Sequence, residues 1–322
     1  MRRRLAAWAR LSIGVGVLAF LVARLGAAPF LDALDSLRGP AVALGLSITA
    51  LTTLCSVWRW RLVAEGLGVP VPLPAAVAQY YQSQLLDATL PGGVVGDVHR
   101  GVRHGRGAGS VGRGLRAVVW ERSLGQGVQL SLAVVVLVLL PSPAPAVVPL
   151  VAALALVTVA AGALVLLTRR AQRPGAVARA ISTVRNDLRD IVRTAPGSLT
   201  RIVLASTVVV AGHAAMFMVA ARTVGVPLSV DRLLPVGMVV LVASAVPASF
   251  AGWGPREGAA AWAFGAAGLS TAQGLSTAVV YGVMTLVASL PGAIVLFAGR
   301  PQHRPPHDRQ DDASCRPEVS CA

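Results

Sequence analysis

Leu90-Pro91-Gly92-Gly93-Val94-Val95-Gly96-Asp97-Val98-His99-Arg100 interrupts an apolar run, and the reading of this stretch decides the fold. On its N-terminal side, Ala75 to Leu90 alternate apolar residues with Gln79, Tyr80, Tyr81, Gln82 and Gln84, an amphipathic helical segment. Proline has no backbone N–H and glycine accepts φ values closed to other residues, so Pro91-Gly92-Gly93 ends one helix and lets the next leave at a new angle. Outward from this break the chain is apolar almost throughout. Of its 322 residues, 55% are hydrophobic and 13% charged. Soluble domains carry about a quarter charged residues, so a water-exposed surface of normal size cannot be built from this sequence.

A membrane-crossing helix needs about 20 mostly apolar residues. Six stretches qualify: residues 8–28, 40–62, 117–140, 147–168, 201–222 and 275–298. Two more are apolar but broken, 75–106 at Pro91-Gly92-Gly93 and 233–269 at Pro247, Gly252, Gly254 and Pro255. Such discontinuous or re-entrant hairpins are tolerated at membrane depth only when buried in protein or lining a cavity. The ten-residue alternation of a transmembrane barrel is absent. The expected fold is therefore all-α, a polytopic transmembrane bundle over residues 1–300 with about six full spans and two broken hairpins. The first span follows an Arg-rich start and has no convincing cleavage site, so a retained signal-anchor is expected. Residues 301–322 are polar and Pro-rich and read as a disordered tail.

The net charge of +15 would suggest nucleic acid in a soluble protein. Here the arginines sit between apolar spans, the pattern of the positive-inside rule, so nucleic acid is not an expected partner. Counting them places both termini on the cytoplasmic side of a cell membrane, with Arg59, Arg61, Arg100, Arg103 and Arg106 among the flanking charges and eight arginines between residues 169 and 201 in one inside loop. The absence of lysine, with abundant Ala, Gly, Val, Leu and Pro, points to a GC-rich, bacterial genome. Cys55, Cys315 and Cys321 form no CxxC pair or His/Cys cluster, so neither disulfide framework nor metal site is expected.

The two breaks share a pattern. Leu90–Arg100 and Val246–Arg256 both fit Pro-x4-Gly-x3-Arg, as Pro91/Gly96/Arg100 and Pro247/Gly252/Arg256. The loop charges give the two segments opposite orientations. Inverted repeats with helix breaks in corresponding positions mark transporter-like sites at the repeat interface.

These residues carry a resemblance. Leu90–Arg100, Glu121-Arg122, Pro247-x4-Gly252-Trp253-Gly254-Pro255-Arg256-Glu257, Gly268–Ser270 and Leu290-Pro291-Gly292 together resemble the flippase-like membrane domain of lysylphosphatidylglycerol synthases, over most of residues 5–300. The resemblance implies movement of membrane lipids, aminoacylated or glycosylated ones included, between leaflets. No aminoacyltransferase domain follows, so a stand-alone member is expected, with a separate lipid-modifying enzyme as a candidate partner. The chain departs from the expected pattern at Tyr281-Gly282, where a Tyr-Arg-like pair would stand.

Charges at membrane depth cost roughly 2.5–3.5 kcal/mol each on insertion scales and so face partners or water. Asp97, Arg100, Glu121, Arg122, Arg256 and Glu257 are the candidate substrate-binding residues, and Pro91, Gly92, Gly96, Pro247, Gly252 and Gly254 the structural breaks. Asp97 and Arg100, three apart, share a helix face. Glu121 and Arg122 are adjacent and need different partners, an arginine such as Arg100 being the natural one for Glu121. Arg256 and Glu257 open a helix, where the dipole favours anions, and a guanidinium engages a phosphate bidentately. An anionic headgroup on Arg100 and Arg256 is the expected arrangement. Tyr80 and Tyr81 are expected at the membrane interface, and His213 in a helix–helix hydrogen bond. No cofactor or catalytic residue is expected. A lipid flippase leads, ahead of a small-solute exporter, a carrier-lipid enzyme or a purely structural protein; with no nucleotide-binding GxxxxGK[ST] loop, its energy is expected from an ion gradient or the lipid gradient itself.

Overall fold

The computed structural model describes residues 39–90, 93–141, 151–152, 176–194, 197–245 and 254–298. The expected spans at 8–28 and 147–168, the break residues Pro91, Gly92, Pro247 and Gly252, Trp253 and the tail lie outside the described residues. The described residues are helical, with no strand among them. In chain order the helices are α1 (Gly39–Gly66), α2 (Leu73–Thr89), α3 (Val95–Gly107), α4 (Val111–Leu139) and α5 (Ala176–Arg193). They continue with α6 (Ser198–Thr223), α7 (Val230–Ser244), α8 (Pro255–Ala266), α9 (Thr271–Ser289) and α10 (Pro291–Ala298).

Four segments are long and apolar enough to cross a membrane: Val42–Gly66, Val111–Leu139, Ser198–Thr223 and Thr271–Leu296. They coincide with four of the six expected spans. Leu51, Leu54, Val138, Leu139 and Leu204 lie exposed along them. In water such a surface would be an association or aggregation patch; against lipid it is the ordinary outer face of a bundle.

Both breaks are where the sequence puts them. α2 ends at Thr89 and α3 begins at Val95, with Gly93 at φ 61° in the turn. α7 ends at Ser244 and α8 begins at Pro255, preceded by Gly254 at φ 123°, a conformation that only glycine adopts without strain. After each break a short helix packs closely on the long helix that follows. A Cβ on Gly114 of α4 would lie 2.4 Å from the Gly101 carbonyl oxygen of α3, and one on Gly274 of α9 would lie 2.4 Å from the Ala260 carbonyl oxygen of α8. Small residues thus bring backbones together where lipid offers no hydrophobic drive to association.

One apolar core joins α6, α7, α8 and α9 through Phe217, Leu233, Val240, Phe264 and Val280. A second joins α1 and α2 around Trp60, Val63 and Ala76, and takes in Ile191 of α5. The arginine-rich stretch expected as a loop between residues 169 and 201 therefore contains a helix. Its apolar residues recur at helical spacing (Val184, Leu188, Ile191), and the last two are buried.

Candidate functional site

The bundle holds a cluster of charges at its centre. Glu121 of α4 has 0% of its side chain exposed, and two arginines converge on it. Arg59 of α1 pairs with its Oε1 and donates from Nε at 3.0 Å, while Arg100 of α3 approaches Oε2 through Nη2 at 3.0 Å. Tyr80 of α2 adds its hydroxyl to Oε1 at 3.4 Å. Arg59 also donates through Nη1 to Ser206 Oγ of α6 at 3.0 Å. Gly125, one turn beyond Glu121, leaves room for this reach, since a Cβ there would stand 2.8 Å from Arg59 Nη1.

Arg100 is sealed in. Its guanidinium lies 4.5 Å from the centre of the Trp60 ring and 4.3 Å from that of Tyr80. It also pairs with Asp97 Oδ1 at 2.9 Å, and its side chain is 1% exposed. The three-residue spacing of Asp97 and Arg100 does put them on one face, and Arg100 is one partner of Glu121. Arg100, expected to meet a headgroup, is thus stacked between two rings with Nη2 on both carboxylates, while its Nε and Nη1 are buried without a hydrogen-bond partner among the described residues. Tyr80 is likewise buried against Arg100 and Glu121 and is no interface anchor.

Arg122 points the other way, as adjacency on a helix requires. It pairs with Asp97 Oδ2 at 2.5 Å and Asp87 Oδ2 at 3.3 Å, yet 48% of its side chain stays accessible. Asp87 turns its Oδ1 toward the first break and accepts the Gly96 N–H at 2.7 Å. Asp97 also accepts the Ser83 hydroxyl at 3.1 Å. One guanidinium on α4 therefore spans the carboxylates on both sides of the α2–α3 break.

The accessible part of Arg122 faces a cavity of about 310 Å³ with both polar and apolar lining. Four helices contribute stripes at the helical period: Tyr80, Ser83, Gln84 and Asp87 on α2; Arg122, Gly125, Gln126 and Gln129 on α4; Gly282, Thr285 and Ser289 on α9; Ser56 and Arg59 on α1. Asp97, His213 and Arg256 add further polar groups, and Thr49, Ala88, Val209, Val210 and Leu286 complete a wall of mixed polar and apolar character. The volume lies at the low end of small-molecule sites, about 300–1,000 Å³.

Arg256 enters from the second break. Glu257 takes the Arg256 Nε at 2.8 Å and turns its other oxygen back onto the Gly254 N–H, closing the capping box at the start of α8. The anion expected at this helix start is thus supplied by the chain itself. The Arg256 guanidinium lies 5.4 Å from the centre of the Tyr281 ring. Tyr281 in turn is hydrogen-bonded to His213 Nδ1 at 2.8 Å, the helix–helix bond expected of that histidine.

Of the six candidate residues, Asp97, Arg122 and Arg256 reach the cavity wall, Arg100 and Glu121 form the buried cluster behind it, and Glu257 holds Arg256. Arg59 and Asp87 complete the arrangement; Asp87, on the amphipathic segment, reads in the sequence as either solvated or site-lining, and it lines the cavity. Arg59 reads in the sequence as a flanking charge, but it falls within an apolar helix of 28 residues, and that depth is the signal that it needs a carboxylate. Among the described residues no three His, Cys, Asp or Glu side chains gather as a metal site would require.

No curated protein matches the chain. The family model described as Lysylphosphatidylglycerol synthase TM region matches residues 7–292, a range that takes in both breaks and every charged residue of the site. The chain therefore belongs to the family of the lysylphosphatidylglycerol synthase transmembrane region.

Proposed function

We propose that this chain moves a lipid with an anionic headgroup between the leaflets of the cell membrane, as a transporter and not as an enzyme. The observation that carries the reading is the cavity with Arg122 and Arg256 on its wall, set among helices long and apolar enough to cross a bilayer. The headgroup occupies the cavity while the acyl chains remain in lipid. Arg122, with half its side chain accessible, makes the first contact with the phosphodiester, and Arg256 the second. The Glu121 cluster keeps α1, α3 and α4 in register so that Arg122 is held on the wall. The buried pairs are costly to desolvate singly and stable only together, which suits a scaffold and not a ligand seat.

The two helix–break–helix units, α2–α3 before α4 and α7–α8 before α9, are read as inverted copies, and rocking of one against the other exposes the cavity to each side in turn. Both termini are placed on the cytoplasmic side by the arginine count, and a separate enzyme supplies any modified lipid.

The test is made in the host cell. After deletion of the gene, outer-leaflet lipids, tagged with a membrane-impermeant headgroup reagent, are compared with total lipids by mass spectrometry. The expected result is one anionic or modified lipid depleted outside and unchanged in total, restored by the wild-type gene and not by Arg122→Ala. Accumulation of a precursor with altered total composition would instead favour an enzyme of carrier-lipid chemistry, and unchanged lipids a small-solute exporter.

A further inference from the structure

The charges around the cavity balance before any ligand arrives. Arg59, Arg100 and Arg122 face Glu121, Asp97 and Asp87, and Arg256 faces Glu257. An anionic phosphodiester entering this network brings a negative charge with no unpaired cation among these described residues to meet it. It can engage the accessible face of Arg122 only in competition with the two carboxylates that already hold that guanidinium.

The two carboxylates are not equivalent in what they would keep. Asp97 retains Arg100 at 2.9 Å and the Ser83 hydroxyl at 3.1 Å when Arg122 turns away. Asp87 retains the Gly96 N–H at 2.7 Å, and among the described residues its ion pair is with Arg122. Asp87 faces Asp97 and Arg100 on α3 and Arg122 on α4. It shares the cavity with Tyr80 on its own helix, Arg59 on α1, His213 on α6 and Arg256 on α8. The sequences of α9 and α10, which also pack on α2, carry no charged residue, and Tyr281 on α9 is hydrogen-bonded to His213. When Arg122 is drawn to an anion, Asp87 is thus the carboxylate left beside a like charge with no cation of its own.

We infer that anion binding in this cavity is linked to proton uptake by Asp87: the phosphodiester takes Arg122, and Asp87, released, takes a proton from water. The inference rests on the headgroup reading above and makes loading of the cavity pH-dependent. Because Asp87 also holds Gly96 across the first break, its protonation acts on the joint between α2 and α3.

The sign follows from linkage. Loss of Arg122 raises the proton affinity of Asp87 in the bound state, so binding takes up a proton and weakens as pH rises between the free and bound pKa values. The test uses the purified full chain in weakly buffered detergent with a pH-indicator dye, titrated with dioctanoyl phosphatidylglycerol and separately with inorganic phosphate. Wild type is expected to take up protons on binding phosphatidylglycerol, at most one per lipid, with Kd rising up to about tenfold per pH unit. Asp87→Asn, whose Oδ1 can still accept the Gly96 N–H, is expected to bind with a pH-independent Kd and no uptake, whereas Asp97→Asn keeps the uptake. Wild-type binding with no proton uptake, or uptake that survives in Asp87→Asn, would overturn the inference and leave the headgroup reading standing. Absence of phosphatidylglycerol binding at every pH would overturn both. Uptake driven by inorganic phosphate alone would keep the proton link and overturn the lipid as its partner. The wild-type proton count decides the matter without help should Asp87→Asn fail to fold.

Discussion

Replacing Glu121 by glutamine keeps the size of the side chain and removes the one charge on which Arg59 and Arg100 both depend. The carboxylate is fully buried, and the Arg59 and Arg100 side chains are 7% and 1% exposed, so solvent screens almost nothing. Breaking a buried ion pair by removing one partner costs about 3–5 kcal/mol, because the surviving charge stays buried and unpaired. Arg100 retains Asp97, which argues for the lower part of that range; Arg59 has Ser206 as its remaining hydrogen-bond partner, which argues for the upper. At about 1.4 kcal/mol per tenfold, Glu121→Gln should shift the folding equilibrium by roughly two to four powers of ten. Equilibrium unfolding in mixed dodecylmaltoside–SDS micelles, followed by tryptophan fluorescence, reads this directly, and Trp60 lies within the cluster. Arg122→Gln serves as the comparison and should cost less than Glu121→Gln, because its own side chain is half accessible and Asp97 keeps Arg100. A loss below about 1 kcal/mol for Glu121→Gln, the range of exposed pairs, would refute the scaffold role of the cluster.

Other substitutions test the packing. Gly114→Ala places a Cβ 2.4 Å from the Gly101 carbonyl oxygen and 2.6 Å from Gly105, backbone that cannot yield, and should destabilise by about 1–3 kcal/mol or more in the same unfolding assay. Gly258→Ala, in the interior of α8 with nothing within 4 Å of the new Cβ, should stabilise by about 0.5–1 kcal/mol. Gly96→Ala drives a Cβ to 2.1 Å from the Ser83 carbonyl oxygen, so it should open the α2–α3 joint, break the Asp87 contact and abolish lipid movement in vesicles. Tyr281→Phe removes the 2.8 Å bond to His213 and should cost about 1 kcal/mol in the unfolding assay.

Four of the spans and both breaks were legible in the sequence because their causes are local. A run of apolar residues sets a span, and proline with glycine ends a helix wherever it falls. The pairing of Glu121 with Arg100 was legible too, since a carboxylate within an apolar helix must find a cation. Arg59 was not, because the charge count that assigns flanks treats an arginine near a span end as a loop charge, and here α1 runs on to Gly66. Asp87 depended on the angle at which α3 leaves the break, which decides whether residues 87 and 97 converge on Arg122; no spacing rule contains that angle. The cavity face of α4 was available in principle, since residues 122, 125, 126 and 129 form one helical stripe. It passed unnoticed because glutamine and glycine carry no charge to draw attention. The capping of α8 by Glu257 was half legible: the helix start favours an anion, and the chain fills it from its own next residue.

The measurement that bears most directly on the central claim is lipid movement by the purified chain in vesicles. The full chain is reconstituted into phosphatidylcholine vesicles containing fluorescently tagged phosphatidylglycerol, and transfer between leaflets is followed by dithionite quenching. Wild type should speed transfer well beyond protein-free vesicles. Arg122→Ala should lose about tenfold or more of that rate, the scale of one charge-assisted hydrogen-bond contact, while remaining folded. Transfer by Arg122→Ala as fast as by wild type, or wild-type vesicles no faster than empty ones, would contradict the claim that this cavity carries a lipid headgroup.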